Sequence, residues 1–252
     1  MLTEPFAVGS SLMHRLDPRV KVAAAVVFVS VAAILVRWEA LALAMATAVS
    51  LVGLARPSLR QLSRRLMLAN FFILCLWLFL PFSHAGTPLF QLGPFAGTAE
   101  GVRAAARITV KANAILLAFV ALVATMPVAT LGHALRCLAV PEKLVYLLLF
   151  TYRYIHVMEQ EYHRLHNAAV IRGFRPKTDR HTYKTYAYLV GMLLVRSLAR
   201  AERVHDAMLC RGFRGRFYAM RPFFITSMDV ASLIVIAAVV GGMACLEWLP
   251  TT

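Results

Sequence analysis

The chain is written as long apolar runs separated by short polar corners, and one long basic stretch interrupts the series. Four runs cover residues 20–36, 40–55, 66–82 and 108–126, and a fifth covers 230–249. Each is close to the roughly 20 apolar residues a helix needs to cross a bilayer. Asp17-Pro18 precedes the first run. Asp accepts the free amides of a helix start and Pro suits the first helical position, so the pair predicts a helix beginning there. Arg37, Trp38 and Glu39 make a polar corner with an interfacial aromatic. Arg56-Pro57 stops the second run, and Arg60, Arg64 and Arg65 follow it. The third run ends around Pro81 and the fourth at Pro127. Residues 84–101 are rich in Gly and Pro, with one acid and no Lys or Arg, and read as an outside loop with a partly re-entrant character. Arg103, Arg107 and Lys111 then fall at i, i+4, i+8 on one helical face, where an extra helix or hairpin would change the number of crossings.

The stretch 127–228 is not loop-like. In its first half Leu144, Leu148, Thr151, Ile155, Met158, Tyr162, Leu165 and Ala169 recur at alternating steps of four and three. In its second half Ala187, Val190, Leu194, Ser197, Ala201, Val204 and Met208 do the same. That alternation predicts two long helices with narrow apolar seams of the coiled-coil kind. Small residues such as Ser197 and Ala201 in the second seam predict close helix approach in an internal hairpin.

Composition sharpens this picture. Hydrophobic residues make up 60% of 252 and charged residues 15%, where a soluble domain is nearer half and a quarter. Disorder is excluded and an all-α polytopic membrane protein with about five transmembrane helices is expected. The formal charge of +15 would suggest nucleic acid in a soluble protein. Here 16 of the 27 basic residues lie in 127–228 against six acids, a local net of +10. Basic residues collect on the cytoplasmic side of membrane proteins, so this stretch is expected inside and no nucleic-acid partner is expected. The division is then 1–126 for N-terminal transmembrane helices, 127–228 for a cytoplasmic domain of long helices, and 229–252 for a last transmembrane helix. The first ten residues hold no basic residue and no cleavable signal pattern, so the N-terminus is expected inside. Cys75, Cys137, Cys210 and Cys245 form no close pair, which argues against disulfides or a thiolate metal site.

The most specific feature is a repeat. Residues 165–175, Leu-His-Asn-Ala-Ala-Val-Ile-Arg-Gly-Phe-Arg, align without gaps with 204–214, Val-His-Asp-Ala-Met-Leu-Cys-Arg-Gly-Phe-Arg, and six of eleven positions are identical. One step beyond each seam lands on Arg172 and on Arg211. Gly173 and Gly212 then stand where helices commonly end in the left-handed conformation. Two stiff helices thus end in the same Arg-Gly-Phe-Arg tip. A planar guanidinium at the end of a lever suits a carboxylate- or carbonyl-lined groove.

The chain resembles the transmembrane T component of energy-coupling factor transporters, of the cobalt/nickel type called CbiQ. The resemblance spans nearly the whole chain. It rests on residues 11–21, Ser-Leu-Met-His-Arg-Leu-Asp-Pro-Arg-Val-Lys, on 149–154, Leu-Phe-Thr-Tyr-Arg-Tyr, on 196–203, Arg-Ser-Leu-Ala-Arg-Ala-Glu-Arg, and on the two tips. It implies that Ile171-Arg172-Gly173 and Cys210-Arg211-Gly212 are the two X-Arg-X motifs that contact two cytoplasmic ABC ATPase subunits. The first residue of the motif is most often Ala in that family, so Ile171 and Cys210 depart from it. The resemblance also implies a substrate-binding S component held on other helix faces, an optional small accessory membrane subunit, and residence in a prokaryotic cell membrane. The ATP and Mg would be bound by the ATPases, with no cofactor in this chain.

No G-x-x-x-x-G-K-[ST] is present, so no P-loop ATP site is expected. Neither H-E-x-x-H nor G-x-S-x-G occurs, and no catalytic residue is assigned. Glu159, His163 and His166 stand at i, i+4, i+7, but a polar helix face is the better reading than a metal site. Lys21, Lys111 and Asp229 sit near the ends of apolar runs, whereas a secondary transporter keeps ionisable groups at mid-membrane. The expected function is a non-catalytic coupling subunit of an ATP-driven importer for cobalt or nickel. The alternatives are a self-sufficient permease or channel with a basic regulatory domain, and a membrane enzyme acting on anionic lipid.

Overall fold

The computed structural model describes residues 13, 16–83, 87–92, 95–214 and 226–248. The first ten residues, part of the 11–21 motif and the start of the 84–101 loop lie outside the described residues. The described chain forms α1 (Pro18–Ile34), α2 (Trp38–Ala55), α3 (Leu59–Ser83), β1 (Pro88–Leu92), β2 (Phe95–Thr98), α4 (Ala99–Leu122), α5 (Val128–Cys137), α6 (Glu142–Ile171), α7 (Arg180–Cys210) and α8 (Ser227–Trp248). It divides into two compact units, one of Val140–Pro222 and a larger one of Glu4–Ala139 with Phe223–Thr252. The smaller unit therefore begins after α5, where the apolar pattern alone suggests a start at 127. The reason is local: Ala134, Leu131 and Leu135 of α5 pack with Val22 and Met126 of the larger unit.

In the larger unit α1 starts as its sequence predicts. Asp17 caps it by accepting the Arg19 amide at 2.8 Å, and Pro18 occupies the first turn. The Asp17 amide in turn donates to Asp229 Oδ1 at 2.7 Å, and the Thr226 amide donates to Asp229 Oδ2 at 2.8 Å. Lys21 is buried within electrostatic reach of Asp229, so the first turns of α1 and α8 are tied together. At the opposite ends of these helices Glu247 Oε2 accepts the Val36 and Arg37 amides, each at 3.1 Å, and Arg37 donates to the Leu246 carbonyl at 2.7 Å.

The core is built on small residues. Ala40, Ala44 and Ala48 of α2 and Ala114 and Ala118 of α4 are fully buried, with Phe28, Leu35, Leu41 and Met243 around them. Four-residue spacing of alanines lets two helix backbones approach closely, the usual packing device inside a bilayer. α3 is different. Met67, Leu68, Phe71, Phe72, Leu74 and Phe79 are all exposed. It meets α4 through an apolar contact of Leu62 and Leu66 with Leu117 and Val120, a reciprocal amide pair between Asn70 and Asn113 and a bond from Trp77 Nε1 to Thr109 at 2.9 Å. At Gly101 a Cβ would sit 2.7 Å from the Leu80 carbonyl oxygen, so glycine sets how closely α4 approaches α3.

Helices α2, α3, α4 and α8 are long and apolar enough to cross a membrane. The chain is a multi-pass, all-α membrane protein. Of the five expected crossings, α1 is the short one. At 17 residues it runs about 25 Å, less than a hydrocarbon core of about 30 Å. The segment read as a loop before α4 contains an antiparallel hairpin, with Leu92 opposite Phe95. Two of the three basic residues on this face of α4 meet neighbouring helices. Lys111 Nζ donates to the Ala33 carbonyl at 2.8 Å, and Arg107 lies 5.9 Å over the Trp38 ring.

In the smaller unit α6 and α7 have 30 and 31 residues, each about 45 Å long. They run antiparallel, joined through residues 172–179. The predicted apolar seam is only partly closed: Met158, Tyr162, Leu165 and Val204 are half-buried. Ile155 is 50% exposed, Leu194 is 64% exposed, and Leu144, Val190 and Ala201 are exposed too. Among the described residues of these helices, only Val145, Glu161, Thr182 and Leu189 are buried. The alternation of steps correctly marks apolar helix faces, but those faces line open grooves.

Candidate functional site

The two tips are built by the same backbone device. At the end of α6, Arg172 is the cap residue and Gly173 is left-handed, with φ +87°. The Gly173 amide donates to the Val170 carbonyl at 2.9 Å, and the Phe174 amide reaches back to the Ala169 carbonyl at 3.1 Å. At the end of α7, Arg211 is the cap residue and Gly212 has φ +76°. The Gly212 amide donates to the Leu209 carbonyl at 2.9 Å and the Phe213 amide to the Met208 carbonyl at 3.0 Å. Both ends are Schellman caps, which close the last turn and satisfy its carbonyls. Ile171, Arg172, Gly173, Cys210, Arg211 and Gly212 are all exposed. Each guanidinium is thus presented from a finished helix end and can be offered to a partner without unravelling the helix.

The surroundings of the tips differ. Phe174 is buried against Tyr186, with ring centroids 5.6 Å apart, and lies 6.5 Å from His181. Phe213 is half-buried. Beside it a cavity of about 660 Å³ is lined by Arg153, Tyr154, Arg211 and Arg214, with Phe150 stacked on Tyr154. The apolar periodicity of the sequence gives Arg153 no part at this tip. Its place follows from the antiparallel pairing, which brings the first half of α6 beside the last turns of α7.

Midway along the pair, Glu161 is buried in a surface otherwise rich in arginine. Arg196 of α7 donates a short hydrogen bond to its Oε1. Arg164 lies 3.6 Å and Arg200 3.8 Å from its Oε2. The hydrogen bond from Arg196, with the charges of all three guanidinium groups, outweighs the effect of burial and holds the Glu161 carboxyl below the usual glutamate range. These contacts favour the charged form of the carboxylate. On one side of this crossing lies an open groove of about 970 Å³, lined by Leu147, Phe150, Tyr154, Leu194, Leu198 and Val204 among others. On the other side, towards the first tip, lies one of about 660 Å³.

Glu159, His163 and His166 do not converge. Among the described residues no group of His, Cys, Asp or Glu side chains is placed to hold a metal ion. Glu159 bonds His156 instead, at 3.0 Å, and the Tyr162 ring packs between His163 and His166.

The sequence model of the family described as "CbiQ: Cobalt transport protein" matches residues 9–220. The chain belongs to the CbiQ family. Relatives of CbiQ proteins extend the match along most of the chain. The energy-coupling factor transporter transmembrane protein EcfT of Leuconostoc gelidum subsp. gasicomitatum is 28% identical over 251 residues, covering 94% of this chain and 92% of its own. EcfT of Bacillus subtilis is 26% identical over 257 residues, covering 94% and 96%. The cobalt transport protein CbiQ of Rhodobacter capsulatus is 31% identical over 142 residues, covering 55% and 58%. The T-component resemblance carried by the sequence motifs is therefore a family relationship, and the chain is a transmembrane component of the energy-coupling factor type.

Proposed function

We propose that this chain is the coupling subunit of an ATP-driven importer for cobalt or nickel ions. Two cytoplasmic ATP-binding cassette subunits bind and hydrolyse ATP with Mg, and this chain catalyses nothing itself. A membrane S component captures the ion, with or without a small accessory membrane subunit. The observation that carries the reading is the pair of exposed Arg172 and Arg211 tips on identical caps. A two-fold ATPase dimer needs two equivalent handles, and each handle here ends a rigid helix. ATP-driven closure of the dimer would displace the tips relative to one another, and α6 and α7 would carry that displacement towards the S component. The apolar groove of about 970 Å³ between the first half of α6 and the second half of α7 fits an S-component helix. The cluster of 16 basic residues in 127–228 supports a cytoplasmic position for the smaller unit in a prokaryotic cell membrane. Cobalt is favoured by the printed descriptions of the family and of the Rhodobacter relative.

The test is co-purification. Arg172→Glu or Arg211→Glu weakens docking of the ATPases, and the double change weakens it much more. Loss of one buried, hydrogen-bonded charge contact costs about 2–5 kcal/mol. Undiminished recovery of ATPase subunits with the double variant would remove the tips from the docking site.

A further inference from the structure

We propose that the first half of α3 binds an anionic phospholipid, whose phosphate sits on Arg60 and Arg64 with Arg56 beside them and whose acyl chain lies along Met67, Phe71 and Leu74. The site belongs to the larger unit and is separate from the Arg172 and Arg211 tips, which belong to the smaller one.

Three observations carry it. The first is charge. Between Glu39 and Glu100 the chain holds no Asp or Glu, and its only Lys or Arg residues there are Arg56, Arg60, Arg64 and Arg65. Arg56, Arg60 and Arg64 are exposed, and among the described residues none of them is paired with a carboxylate. Four arginines within ten residues at the end of a membrane helix, with no acid to offset them, attract anionic headgroups. A guanidinium fork also matches a phosphate bidentately. The second is alignment. Arg60, Arg64, Met67, Phe71, Leu74 and Leu78 follow steps of four and three, so they share one face of α3. The four apolar members are 63–75% exposed. The contacts of α3 with its own chain use other residues. Leu62 and Ile73 are buried, and Asn70 and Trp77 bond to α4. The third is position. Arg56 ends α2, one turn past Val52, which packs with Leu62 near the start of α3. The end of α2 thus stands beside the first turns of α3 and adds a cation to the Arg60 and Arg64 pair. From Arg64 to Leu74 the helix rises about 15 Å, half of a hydrocarbon core of about 30 Å. The stripe therefore offers cations at one end and exposed apolar surface one leaflet deep. A negative headgroup joined to a tail of that length is the chemistry of an anionic phospholipid.

Native mass spectrometry of the full chain in detergent tests the site, with phosphatidylglycerol or phosphatidylcholine of the same acyl chains added. The parent binds phosphatidylglycerol at least about tenfold more tightly, and that preference falls about fivefold for each arginine replaced in Arg60→Gln with Arg64→Gln. Arg60→Lys with Arg64→Lys keeps most of it. Phe71→Asn weakens binding of both lipids, and excess inorganic phosphate does not displace phosphatidylglycerol. These side chains are exposed, so each variant unfolds in lipid-free detergent at the temperature of the parent. Equal binding of the two lipids by the parent, or an undiminished preference in the double Gln variant, would overturn the site. Displacement by inorganic phosphate would leave an anion site without an acyl contact and overturn the lipid assignment. Full lipid binding by Phe71→Asn together with loss of a co-purifying membrane subunit would give the stripe to that subunit, and overturn it equally.

Discussion

At the scale of single residues, two glycines decide the shape of the tips. Gly173 and Gly212 have φ of +87° and +76°, and nothing lies within 4 Å of the position a Cβ would take. The requirement for glycine is thus purely a matter of backbone conformation. An L-residue with a Cβ adopts the left-handed region at a cost of about 1 kcal/mol, and Asn tolerates it better. Gly212→Ala should therefore loosen the cap without a clash, and Gly212→Asn should loosen it less. The Phe213 amide, which donates to the Met208 carbonyl, is the reporter. Its hydrogen exchange should quicken about fivefold in the Ala variant. Equal exchange in Gly and Ala chains would mean that the left-handed turn does not hold the tip. This glycine was legible in the sequence, because its place one residue after a seam-ending Arg is a local signal. Glu161 was not. Its importance depends on Arg196, far along the chain, reaching it across the helix pair.

At the scale of helices, the same small side chain has opposite meanings in two places. Ala44 is fully buried where α2 meets α4. Ala201 is exposed and lines the open groove between α6 and α7. The spacing of apolar residues gave Ala201 a close-packed seam and said nothing of Ala44, since an alanine inside a uniformly apolar run has no polar contrast to mark its face. Burial reverses the assignment. Ala44→Leu should force α2 from α4 and cost about 1–3 kcal/mol, as overpacking of fitted contacts does. Ala201→Leu should be close to neutral for the chain alone. Thermal unfolding of each variant in the same detergent checks the contrast. A larger loss for Ala201→Leu than for Ala44→Leu would restore the packed seam.

At the scale of the whole molecule, the distribution of charge makes a claim about sidedness. The 84–101 loop carries no Lys or Arg, whereas 127–228 carries a net charge of +10. The positive-inside rule predicts the first outside and the second inside. Thr87 and Thr178 are both exposed, and the four native cysteines are exposed too and need replacing before labelling. A cysteine at Thr87 should react with an impermeant thiol reagent in intact cells. One at Thr178 should react only after the membrane is opened. The reverse pattern would put the Arg tips on the side away from cytoplasmic ATP and end the coupling reading.

What the sequence determined by itself was whatever depends on neighbours along the chain. Apolar length marked the membrane helices, Asp17-Pro18 marked the start of α1, and the repeated Arg-Gly-Phe-Arg marked two helix ends that the structure caps identically. Tertiary structure decided what depends on residues far apart. It placed the alanine face of α2 against α4, tied Asp17 to Asp229 across most of the chain, and left the α6 and α7 seams partly open around one buried glutamate. The physical reason is that a periodic pattern reports which face of a helix is apolar, while whether that face is filled depends on where a second helix crosses it. In this hairpin a carboxylate shared among three guanidinium groups marks the crossing, and no repeat of apolar residues announces it.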